Sequence, residues 1–164
     1  MGARAAAVVG GIAASMLVAA PAAANVVADV SQIADLMKRT GYSVEVKATE
    51  EDSYIVASRG KDTYSFRVFF FGCDERTMKN CKSVQFYGGF TPNQKPDLAA
   101  LNAYARDNRW GRVYQDKEGD PVIEMDVDLE KGGMSEALFL DNVEYFEAVL
   151  DEFGEFAFTG KTSD

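Results

Sequence analysis

The sequence predicts an α+β domain, an antiparallel sheet with helices packed against it, in the order α-β-β-β-β-α-β-β-α. Two patterns carry the prediction. Between Tyr42 and Phe90, apolar and polar residues alternate in four short runs joined by polar turns, as in the half-buried strands of a meander. At the start, middle and end of the chain, apolar residues recur every three or four positions, the period of an amphipathic helix.

The first helix runs from a cap at Asp29 or Ser31 to about Thr40, with Val30, Ile33, Ala34 and Met37 at helical spacing and Gly41 as its left-handed stop. Tyr42, Val44 and Val46 then alternate with Ser43, Glu45 and Lys47, and Glu50-Glu51-Asp52 turns the chain. Ser53–Arg59, Thr63–Gly72 and Ser83–Phe90 are the next three strands. After a loop with Pro92 and Pro96, the second helix spans about Asp97–Asn108. Trp110–Gln115 and Val122–Leu129 form a hairpin around the polar turn Asp116–Asp120. Gly132-Gly133 precedes a last helix, Ser135–Phe153, whose stripe is Phe139, Val143, Phe146, Leu150 and Phe153, with Gly154 as its stop.

Ahead of these elements, Met1–Arg4 is a short basic start and Ala5–Ala20 an uncharged apolar run. Pro21–Ala24 then supplies small residues before Asn25. That order is the pattern of a secretory signal peptide cleaved between Ala24 and Asn25. The run is shorter and richer in Ala and Gly than a spanning helix, which needs ~20 strongly apolar residues. The expectation is a periplasmic or secreted product with no membrane insertion after cleavage. Residues 25–158 would form a single domain and 159–164 a flexible tail.

The formal charge is −9, and losing Arg4 with the leader makes the mature chain more acidic still. Such a surface repels phosphate backbones, so nucleic acid is not an expected partner, whereas a basic one is. The chain has no histidine, which excludes Ser-His-Asp and Cys-His nucleophile pairs and removes the commonest transition-metal ligand. No cofactor or metal is implied.

Cys73 and Cys81 are the only cysteines. An even count in an exported chain, at the end of one strand and just before the next, predicts a structural disulfide. Glu124, Asp126 and Asp128 alternate with Met125, Val127 and Leu129, which puts three carboxylates on one strand face. They read as the solvent face of an amphipathic strand, paired with cations such as Arg112; a cation site or acid/base pair is the sharper alternative. Asp141, Glu144, Glu147, Asp151 and Glu152 make the last helix acidic into its final turn, against the macrodipole, which suits a basic partner. Phe69, Phe71, Tyr104, Trp110 and Tyr145 are the candidate interaction residues, aromatic side chains that an exposed patch could offer a partner.

In order and spacing, several segments resemble the YbjN domain family of bacterial proteins. These are Leu101-Asn102, Arg109-Trp110-Gly111-Arg112, Gly119-Asp120, the run Glu124–Leu129, and Gly132-Gly133-Met134-Ser135-Glu136. One departure is Ala103-Tyr104-Ala105, where the family often carries an aromatic residue and a second Asn. The resemblance implies a fold like that of the small α+β chaperones of type III secretion and a sensory-transduction or stress-related regulatory role. It implies no catalytic residues. The leading expectation is therefore an exported, non-enzymatic module that binds a protein or peptide in a chaperone-like way, with a homodimer as the expected assembly. A periplasmic small-ligand sensor or inhibitor is the alternative, and a hydrolase using Asp126 and Asp128 a third reading.

Overall fold

A computed structural model describes residues 25–48, 53–60, 63–74, 77, 79–109 and 111–160. The leader with Ala24, the turn Glu50–Asp52, Trp110 and the last four residues lie outside the described residues. The elements are α1 (Val30–Arg39), β1 (Ser43–Ala48), β2 (Ser53–Ser58), β3 (Phe66–Phe71), β4 (Ser83–Gly89), α2 (Leu98–Asp107), β5 (Arg112–Gln115), β6 (Pro121–Asp128) and α3 (Glu136–Thr159). The order is the expected one. All neighbouring strands are antiparallel, in the spatial order β1-β2-β3-β4-β6-β5.

Each helix starts where a side-chain acceptor follows extended backbone. Asp29 Oδ1 accepts from the Gln32 amide at 2.8 Å, Asp97 Oδ1 from the Ala100 amide at 2.8 Å, and Ser135 Oγ from the Leu138 amide at 3.2 Å. Asp29 rather than Ser31 is thus the first cap. The last helix runs six residues beyond its expected end, to Thr159, and the left-handed cap is Gly160 (φ 69°). Gly154 lies inside this helix, and Thr159, expected in a flexible tail, is its last residue.

The helices pack on one side of the sheet. Ile55, Ala57, Phe66, Val68, Phe70, Val84, Phe86 and Ile123 point to that side and are buried with Ile33, Leu36 and Met37 of α1 and Phe139, Val143, Phe146, Leu150 and Phe153 of α3. Phe146 sits at the centre, its ring 5.6 Å from Phe66 and 5.5 Å from Phe86. At the far end of β2, Arg59 Nη2 donates to Tyr42 Oη at 2.6 Å and to Glu144 at 3.0 Å, and Tyr42 Oη donates to Glu147 at 2.6 Å. This ties the sheet to α3 and neutralises part of the acidic helix face. Burial and the Glu147 hydrogen bond together raise the Tyr42 phenol well above the ordinary tyrosine range.

The residues after the expected cleavage point are tied into the fold. Val26 and Met134 exchange backbone hydrogen bonds at 2.7 and 3.0 Å, and Asn25 Nδ2 donates to the Gly132 carbonyl at 2.9 Å. Gly133 is required here: a Cβ on it would lie 2.0 Å from the Val26 carbonyl oxygen. Ala28 bridges to Cys81, which forms the expected disulfide with Cys73 across the loop between β3 and β4.

Candidate functional site

Because the described helices take one side of the sheet, the other side has no helical cover among the described residues. Strand alternation projects onto it the residues out of phase with the core, and the register aligns them in rows across the strands, two of them long. One row is Lys47, Tyr54, Phe69, Gln85 and Asp126; the other is Glu45, Val56, Arg67, Tyr87, Glu124 and Arg112. The rings of Tyr54 and Phe69 are 5.3 Å apart and those of Phe69 and Tyr87 5.6 Å apart, a continuous aromatic strip across β2, β3 and β4. The Arg67 guanidinium lies 5.6 Å from the Tyr87 ring centroid, and among the described residues no carboxylate pairs with it.

Beside the strip the turn after β5 rises to form a hollow of about 430 Å³, lined in part by Lys47, Tyr54, Arg67, Tyr87, Asp116 and Asp120. Asp116 Oδ1 shapes that turn by accepting from the amides of Glu118 and Asp120 at 3.0 and 2.8 Å. Asp120 is held by Lys95 at 2.7 Å. Arg67 and Lys47, the latter ion-paired with Glu45, thus stand on the β1–β3 side of the hollow, and Asp116 and the Lys95-paired Asp120 on the opposite side. Tyr87 stands between them, its phenol raised by burial and by the nearby carboxylates, with Arg67 opposing.

The three carboxylates of β6 share this open face, as the alternation predicts, but their environments differ. Glu124, expected to face solvent, is only 4% exposed. It is ion-paired with Arg112, its cross-strand partner and the expected cation, and accepts from Tyr114 Oη at 2.5 Å. Burial, followed by this bond to Glu124, raises the Tyr114 phenol. Asp126 accepts from Gln85 Nε2 at 3.0 Å, and Asp128 caps the following turn by accepting from the Glu130 amide at 2.9 Å. Neither aspartate lines the hollow. Among the described residues no group of three or more His, Cys, Asp or Glu is placed to hold a metal ion, and no helix is long and apolar enough to cross a membrane.

The aromatic candidates do not converge. Phe69 and Phe71 lie on the open face, Phe71 with 46% of its surface exposed. Tyr145 is 45% exposed but belongs to α3, beside a second hollow lined by Asp107, Val149 and Glu152. Tyr104 is a correction: it is 3% exposed, with its ring 5.1 Å from Phe153 and 4.7 Å from Phe156, because α2 packs that side against the C-terminal half of α3. Tyr54, Arg67 and Tyr87 were not singled out from the sequence. Their signal was the phase of the alternation, since each is out of step with Ile55, Val68 or Phe86.

No curated protein and no solved structure matches the chain. Residues 29–158 match the YbjN family, described as "Putative bacterial sensory transduction regulator", and the match runs from the cap of α1 to the last turn of α3, so the chain belongs to the YbjN family.

Proposed function

We propose that this YbjN protein is an exported, non-enzymatic binding module that takes an extended segment of a protein or peptide on the uncovered face of its sheet. The observation that carries this reading is the strip Tyr54–Phe69–Tyr87, half-buried on the sheet face opposite the helices, beside a hollow with Lys47 and Arg67 on one side and Asp116 and Asp120 on the other. An apolar strip flanked by opposite charges suits a segment of mixed charge, with its basic residues over β5 and β6. The absence of histidine and the engagement of Asp126 and Asp128 in local hydrogen bonds support a non-enzymatic role. Export is supported by the leader pattern, by the disulfide, and by the way Asn25 and Val26 are tied to Gly132 and Met134.

Two measurements test this. N-terminal sequencing of the protein from the periplasmic fraction should read from Asn25; an intact Met1 there would remove the basis for export. A photo-crosslinking residue placed at Phe69 should trap a partner in living cells, whereas the same residue at Tyr145 should not. Equal adducts from both positions, or none from Phe69, would count against the sheet face.

A further inference from the structure

The two edges of the sheet differ. β5 has four residues, is flanked by α2, and its Arg112, Tyr114 and Gln115 side chains are bound to Glu124 and the Pro96 carbonyl. β1 has six residues, Ser43-Val44-Glu45-Val46-Lys47-Ala48, and no described residue pairs along its outer side. An exposed edge of that length is a template for another strand. Val46 adds to this: it points to the helix side of the sheet, opposite buried Ile55, yet is 45% exposed.

We infer that β1 is the interface with a second copy of this chain, paired antiparallel about a two-fold axis through Val46. The segment is complementary to itself in that register. Glu45 and Lys47 are ion-paired with each other within the chain on the open face, and both are well exposed (64% and 44%). In this register Glu45 falls opposite Lys47 of the second copy and Lys47 opposite its Glu45, so the pair can be exchanged for two pairs across the seam. Val46 meets Val46 of the second copy on the helix side, and Val44 meets Ala48. Directly opposed positions bring Cβ atoms within ~5.5 Å, so both charge pairs and the valine pair make contact.

Other registers fail. A shift of two positions, in either direction, sets Glu45 against Glu45 or Lys47 against Lys47 of the second copy. A shift of one turns the second copy over and puts its helices on the wrong side of the joint sheet. Edge charges usually guard against pairing; here their order admits one partner in one register. The pairing joins the two sheets edge to edge and leaves both open faces side by side, and it does not depend on what those faces bind.

Charge reversal tests the register. The mature protein should be a dimer at micromolar concentration by light scattering. Glu45→Lys and Lys47→Glu should each weaken self-association at least tenfold while leaving the circular dichroism unchanged. Mixing the two single variants should recover a one-to-one heterodimer, and the double variant should again be a homodimer. Because the native cysteines are bonded to each other, Val46→Cys introduces the sole thiol and should form an intermolecular disulfide on mild oxidation. A strict monomer, a dimer indifferent to both reversals, or single variants that do not recombine would overturn the inference.

Discussion

Gly154 lies against the ring of Tyr64, so that a Cβ on the glycine would sit 2.2 Å from Tyr64 Cε2 and 2.7 Å from Cζ. The ring is held in turn, 5.0 Å from Phe90 and stacked 6.4 Å from Phe158. A glycine in mid-helix costs ~1 kcal/mol relative to alanine, and here it admits an aromatic ring from the chain leading into β3.

Gly154→Ala should therefore destabilise the protein. Relief of the helix penalty would gain ~1 kcal/mol, but displacing a packed ring costs more, and a net loss of about 1–2 kcal/mol is expected in urea unfolding. Adding Tyr64→Ala should turn the effect of the glycine replacement toward stabilisation, because the clash is gone.

Phe146→Ala should cost ~3–5 kcal/mol, since its ring is fully buried between Phe66 and Phe86 and leaves a cavity that the sheet cannot collapse to fill. The exposed Phe71→Ala should change stability by less than ~1 kcal/mol in the same assay.

The Tyr104 hydroxyl is buried with no hydrogen-bond partner among the described residues, so Tyr104→Phe should stabilise the protein by about 1 kcal/mol at neutral pH. Burial first, and the charge of Glu152 second, push this phenol up to about 12 from the ordinary 10. As pH rises, the unfolded chain loses the proton before the folded one does. The stability that this linkage contributes is intact below pH ~10 and is lost on the way to 12. Tyr104→Phe should flatten the alkaline decline in that window; an unchanged profile would show that Tyr104 does not govern it.

Replacing both Cys73 and Cys81 with Ser should cost about 2–3 kcal/mol, as expected for a short closed loop. Since Cys81 also bridges to Ala28, hydrogen exchange should quicken at Val26 and Ala28 in the double variant and stay slow at Phe86. Non-reducing mass analysis of the wild type should find both cysteines in one linked peptide.

The element order, the disulfide, the Asp97 and Ser135 helix starts, and the Arg112–Glu124 pair were legible in the sequence, because caps, strand period and hairpin register are set by neighbours within a few residues. Gly154 was misread for a physical reason: a glycine serves equally as a helix stop or as room for an approaching ring, and nothing local separates the two. The same holds among the aromatics. Tyr104 and Phe69 are alike as residues, and only the packing of α2 on α3 buries one while the lack of a helical cover leaves the other on the open face.

By itself, the sequence determined which segments are helix and strand and how apolar residues divide between the two faces of each strand, since periodicity is a property of the local chain. Only the tertiary structure decided which sheet face the helices cover, and therefore that Tyr54, Arg67, Phe69 and Tyr87 form one surface and that β1 has no partner on its outer side among the described residues. Those outcomes depend on helices far apart in sequence packing on the same side, where their apolar stripes close one core together.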